Sequence, residues 1–133
     1  MSEHFDAKVT LGELLAKCTP ENRHESAWND IDELTSKIKR WAVDRNLHTA
    51  NPDKQMLKLF EELGELAEGM AKDKPEQITD SIGDVYVVLT ILSLQLGINI
   101  EDCIAEAYDE IKDRRGKIID GVFVKEADLK EDD

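Results

Sequence analysis

The sequence predicts an all-α fold, and three observations carry that prediction. Only 7 Gly and 3 Pro occur among the 133 residues and aromatic residues make up 5%, poor material for a β-sandwich and good material for helices. Apolar residues recur at three- and four-residue steps over four separate stretches. The breaks between these stretches are short and carry Pro, Gly or Asn. A chain of this length fits one compact domain, so the expected architecture is a four-helix bundle with short connections.

Residues 1–25 are mixed and polar, with Thr19-Pro20 as a breaker, and read as an N-terminal arm with room for a short helix at Leu11–Lys17. The helical domain is expected over 26–120. Its first helix runs from about Ser26 to Asn46, where Ile31, Leu34, Ile38 and Trp41 form one stripe. Asn51-Pro52 marks a loop. The second helix runs from Pro52 or Asp53 to about Lys72, with Met56, Leu59, Phe60, Leu63, Leu66, Ala67 and Met70 as its apolar face. A third begins at Pro75, a residue suited to a first helical turn, and ends near Leu96 with Gly97 as cap. From Val85 onward it is apolar almost all round, the pattern of a central or interface-forming helix. The fourth is expected from Ile100 to Ile119, with Ile104, Ala107, Tyr108 and Ile111 inward. Residues 121–133 form a tail with a short extended piece at Val122–Val124.

Lys and Arg number 17 against 30 Asp and Glu, a formal net charge of -13. A nucleic-acid polymer is therefore not an expected partner, because most of the surface would repel it. A small polyanion remains open if a cation supplies the missing positive charge. The longest apolar run, Val85–Leu96, is interrupted by Thr90, Ser93 and Gln95, so no membrane span is expected. The N-terminus has no basic region followed by an apolar stretch, and no signal peptide is expected. Cys18 and Cys103 form neither a zinc motif nor a disulfide framework; a cytoplasmic location is the simplest expectation.

Two constellations carry chemistry. On the second helix, Glu65 lies three residues after Glu62 and four after Glu61 and so neighbours both, with Glu62 at the border of the apolar stripe and Glu65 and Glu61 progressively further round. On the third, Asp80 and Asp84 are four apart, and Asp84 aligns with Val88 and Ile91. A carboxylate facing protein is costly unless it is paired or bound to metal. If these helices are neighbours, Glu62, Glu65, Asp80 and Asp84 converge, and oxygen ligands without His or Cys suit Mg²⁺ or Mn²⁺. The bland alternative is a solvated face with Lys partners. A di-iron site would need two Glu-x-x-His pairs, and the chain offers one such string, Glu21–His24, in the polar arm. The second constellation is basic: Lys112, Arg114, Arg115 and Lys117 crowd the expected end of the fourth helix. The helix dipole accounts for one or two of them; the cluster also suits phosphate oxygens. Lys58 is either a salt-bridge partner of Glu61 and Glu62 or a phosphate ligand. Trp41, followed by Arg45 and Asn46, is either core or a stacking surface for a base.

These residues resemble the MazG-like, all-α nucleoside triphosphate pyrophosphohydrolases, particularly small phage-type members. The resemblance lies in KLFEELGELAEG at 58–69, DSIGDVYVVL at 80–89 and EIKDRRGKIIDGVFVKEADL at 110–129, and extends from about Ile31 to Leu129. Glu61, Glu62 and Glu65 match the family's EExxE, and Asp84 matches the last position of its ExxD. The sequence departs from the pattern where Ser81 stands in place of the ExxD glutamate, with Asp80 the nearest acid, and where Asp109 and Glu110 occupy a stretch that often holds Asn. The resemblance implies Mg²⁺ binding, cleavage of a (d)NTP to monophosphate and pyrophosphate, and a homodimer or homotetramer. On this reading Glu62, Glu65 and Asp84 are expected to hold the metal, with Asp80 replacing the ligand missing at Ser81; Glu61 is expected as general base or as an outer metal ligand, and Lys58, Lys112, Arg115 and Lys117 as phosphate contacts. The alternatives are a non-catalytic helical interaction protein and a nucleotide-binding regulator with a degraded site.

Overall fold

The computed structural model describes residues 30–129. The polar arm, the expected helix at 11–17 and the expected start at Ser26 lie outside them. The chain divides into two compact units, the first ending at Gly97 and the second beginning at Ile98. Among the described residues there are four α-helices, one 3₁₀ turn and one β-hairpin, so the fold class is all-α.

Helix α1 spans Ile31–Asp44. Asp30 caps it by accepting from the Glu33 amide at 3.0 Å, and Asp32 and Glu33 complement the positive end of the dipole. Asn46, in the left-handed region with φ 57°, turns the chain into a 3₁₀ turn at Leu47–Thr49. Helix α2 spans Pro52–Ala71, with Asn51 as its cap and Pro52 in its first turn. It stops where Asp73 takes φ 51° and the Lys74 amide returns to the Gly69 carbonyl at 2.9 Å. Helix α3, Pro75–Gln95, packs antiparallel to α2 across this short link. The approach is close there: a Cβ on Gly69 would stand 3.2 Å from Ile78, and Gln77 donates to the Glu65 carbonyl at 2.9 Å.

Helix α3 is the element that α1, α2 and the 3₁₀ turn all pack against. Ala42, Leu59, Val88 and Ile91 are buried, together with Thr35, Ser81 and Thr90. The α1–α3 contact includes a polar tether. Thr35 Oγ1 donates to the Ile31 carbonyl at 2.7 Å, which leaves Tyr86 to donate its hydroxyl hydrogen to Thr35 at 2.5 Å.

Two expectations about these helices are corrected. The buried stripe of α2 is Gln55, Leu59, Glu62 and Gly69, whereas Met56, Phe60, Leu63 and Met70 are exposed. Periodicity identifies which residues share a face; what covers that face is decided by the neighbouring helix. The close approach at Gly69 fixes α3 on the Gln55–Glu62 side. Helix α3, with 21 residues, is also long and apolar enough by length and composition alone to cross a bilayer, contrary to the expectation of no such stretch. Its interrupting Thr90 and Ser93 add little polarity cost, because each hydroxyl donates to its own helix, at the Tyr86 and Leu89 carbonyls, at 2.8 Å.

The second unit holds helix α4, Ile100–Ile111, followed by strands β1, Gly116–Ile119, and β2, Val122–Lys125, paired antiparallel with Ile119 opposite Val122. The fourth helix thus ends eight residues before the expected Ile119. Asp120 and Gly121 have φ 50° and 79°, the positive pair that a two-residue hairpin turn demands. The Asp-Gly pair, flanked by β-branched and aromatic residues, outweighs the helical spacing. A Cβ on Gly116 would fall 2.1 Å from the Val124 carbonyl oxygen, so this position admits only glycine in the paired ladder. The basic residues consequently run from the helix end into the hairpin. Lys112 is the C-cap of α4, Arg114 and Arg115 lie in the link, and Lys117 is on β1.

Candidate active site

The site is built from two core stripes that each carry one acid. Along α2 the stripe is Gln55, Leu59, Glu62 and Gly69; along α3 it is Ser81, Asp84, Val88, Ile91 and Gln95. Glu62 is therefore buried among packed residues, and Asp84 is half-buried on the stripe facing it. Both line one cleft of about 430 Å³ between α1, the 3₁₀ turn, α2 and α3. Its polar end has Glu62, Asp84 and Lys58; Leu47, Val87, Val88 and Ile91 form apolar wall; Trp41, Asn51 and Gln95 lie toward the other end. This volume and mixed lining suit a small molecule with one charged and one flat apolar part.

Glu62 is 6% exposed. Its Oε1 pairs with Lys58 Nζ at 3.0 Å, while its Oε2 is buried without a hydrogen-bond partner. Glu61 pairs with the same ammonium at 3.1 Å. The two carboxylates hold the Lys58 pKa above its ordinary value. Burial, followed by the charges of Asp80 and Glu62, raises the Asp84 pKa. The Glu65 carboxyl is raised chiefly by Glu62, then by partial desolvation and by Glu61. At Glu65 and Asp84 the neighbouring carboxylates thus outweigh the Lys58 ammonium, a condition that a cation would relieve.

Glu65 and Asp80 are exposed and line a separate depression with Glu68, Glu76 and Gln77. Asp80 stands one residue off the α3 stripe. The stripe position that the resemblance assigns to glutamate is held by Ser81, 1% exposed. Trp41 lies at the lip of the cleft, 46% exposed, with the Arg45 guanidinium 4.3 Å from its ring centroid. Lys112 is paired with Asp109, and it belongs with Arg115 and Lys117 to the second unit. Gln95 was not singled out from the sequence. It anchors the 3₁₀ turn by donating Nε2 to the Leu47 carbonyl at 3.0 Å, and its Oε1 is buried and unpartnered. Only its helical spacing from Asp84, Val88 and Ile91 hinted at this role.

Among the described residues, no three His, Cys, Asp or Glu side chains are gathered as a ready ligand shell. The donor set nevertheless fits a hard cation. It is all carboxylate, it includes a buried oxygen with no partner, and the Lys58 ammonium occupies the neighbouring oxygen as an exchangeable countercharge.

The profile of the MazG nucleotide pyrophosphohydrolase domain matches residues 50–119, a stretch that includes both acidic core positions and their α2–α3 frame. The chain belongs to the MazG nucleotide pyrophosphohydrolase family. It is also similar to an uncharacterized 18.2 kDa protein of the rep–hol intergenic region of Haemophilus phage HP1, with 52% identity over 67 residues. That alignment covers 50% of this chain and 41% of the phage protein, so the chain spans less than half the length of this relative. No solved structure matches the chain.

Proposed function

We propose that this protein hydrolyses nucleoside triphosphates, (d)NTPs, to nucleoside monophosphate and pyrophosphate, with Mg²⁺ or Mn²⁺ as cofactor. The observation that carries the reading is Glu62: a carboxylate in a core position, with one oxygen unpartnered, at the acidic end of a cleft that also has an apolar wall. Family membership supplies the reaction class.

Glu62 and Asp84, with Glu65 and Asp80 beside them, would hold the cation, which supplies Lewis-acid neutralisation of the triphosphate. Glu61 is assigned as general base, accepting a proton from the attacking water as its oxygen bonds to the α-phosphorus. The bond to the bridging oxygen breaks, and pyrophosphate leaves with that oxygen. Lys58 lines the cleft and is assigned a phosphate contact. Lys112, Arg115 and Lys117 are carried as further phosphate contacts on the chemistry of their cations. Trp41 at the lip is assigned to the base. The acidity of the chain is compatible with this substrate, because the nucleotide enters as a metal complex.

The exposed residues Met56, Phe60, Leu63 and Met70 of α2 and Ile82 and Leu89 of α3 favour self-association as a homodimer or homotetramer. Neither a nucleic-acid polymer nor a membrane is proposed as a partner, and the cytoplasm is the proposed location. The test is a panel of canonical and modified (d)NTPs with Mg²⁺, assayed for monophosphate and pyrophosphate. Turnover of at least one is expected; turnover of none overturns the hydrolase.

A further inference from the structure

We propose that Gln95 reads the nucleobase and that the preferred substrates carry an exocyclic amine, as cytosine and adenine do, rather than a carbonyl at that position. The inference rests on the cleft taking a nucleotide. Its own support is the state of the Gln95 carboxamide. The Nε2–Leu47 carbonyl bond at 3.0 Å fixes which end of the amide is nitrogen, since the reverse assignment would oppose two acceptors. The other end, Oε1, is left buried with no hydrogen to accept. Buried acceptors in this condition are uncommon, and a ligand is one means of satisfying them.

The position agrees. Gln95 lines the cleft that Asp84 and Glu62 line, and on α3 it stands three turns beyond Asp84, about 16 Å along the helix axis. The acids at one end and the amide at the other leave the apolar wall of Val88 and Ile91 between them. A triphosphate anchored at the acids would direct its base toward Trp41 and Gln95. With Nε2 committed to Leu47, Gln95 offers the base an acceptor and no donor. The Nε2–Leu47 bond holds the amide plane, so the base amine has to reach Oε1 in that plane. An amine N–H satisfies it, whereas a carbonyl oxygen meets it with like partial charge.

The experiment compares dCTP with dUTP and ATP with ITP, each pair differing in the exocyclic amine or carbonyl and in the adjacent ring nitrogen, which carries a hydrogen only in the carbonyl member. In wild type, kcat/KM for the amine member is expected to exceed that for its partner by at least about tenfold in one pair. Gln95→Met, close in volume and lacking the acceptor, is expected to bring the ratio near one, with circular dichroism confirming the fold. Calorimetric binding of dCMP and dUMP to the wild-type protein reads the same preference without a variant and without turnover. Hydrolysis with no amine preference, or a preference unchanged in Gln95→Met, overturns the role of Gln95 and leaves the hydrolase standing. Preferential dCMP binding without turnover of any triphosphate supports the base pocket and overturns the hydrolase. Equal binding of dCMP and dUMP, and of AMP and IMP measured the same way, overturns the pocket.

Discussion

The sharpest perturbation is Glu62→Gln, which keeps the shape of the side chain and removes its charge. The 3.0 Å contact with Lys58 would be worth about 5.5 kcal/mol at an effective dielectric of about 20. Most of this is offset. Glu62 has already lost its hydration, and the Lys58 side chain is 46% exposed and screened by water. Lys58 also retains Glu61 at 3.1 Å, so its charge is not left unpaired. The net cost to folding is therefore expected to be within about 1 kcal/mol, a shift in Tm within about 4 °C. Catalysis should respond differently, because the unpartnered Oε2 is the oxygen assigned to the cation. Pyrophosphate release should fall by at least about 100-fold. The assay pairs thermal melts and circular dichroism with pyrophosphate release under saturating Mg²⁺. A variant that melts like wild type and retains its turnover would remove Glu62 from the site; one that unfolds would show that Lys58–Glu62 holds the fold.

Three further outcomes follow from the geometry. Asp84→Asn should stabilise the metal-free protein at pH 7 by about 0.5–1 kcal/mol. Its raised pKa means that the stability contributed by protonation is fully present below the ordinary value of 3.8 and lost as pH rises through the raised one, so the advantage of Asn should vanish in acid melts. Mg²⁺ titration should raise the Tm of the wild-type protein and leave Glu65→Ala less responsive; equal responses would take Glu65 out of the metal site. Gly116→Ala should disrupt the hairpin, where a Cβ would collide with the Val124 carbonyl, and loss of the cross-strand amide signals of Ile119 and Val122 by NMR would register it.

The sequence by itself determined the helices and their acids. Caps and breakers at Asn51-Pro52, Pro75 and Gly97 set the boundaries of α2 and α3, because proline fixes φ wherever it stands and glycine alone takes the positive φ of a helix stop at little cost. The spacing of Glu61, Glu62 and Glu65 is likewise a local property of a helix, and so was legible. The end of α4 was equally local, since Asp120-Gly121 is a turn signal in its own right, yet the apolar spacing through Ile118 and Ile119 masked it.

Tertiary structure decided which face each helix buries. An apolar stripe on α2 satisfies its own periodicity whether or not anything covers it, and the close approach of α3 at Gly69 instead covers the stripe with Gln55, Leu59 and Glu62. That choice turns Glu62 from a border residue into a core carboxylate, leaves Asp80 in a separate depression, and places Trp41 and Gln95 on one cleft. Burial and partner loss belong to pairs of elements, not to residues, and no spacing along a single chain encodes them. The chemistry of the acids was written in the sequence; the unpartnered oxygens of Glu62 and Gln95 arise only from how α1, α2 and α3 meet.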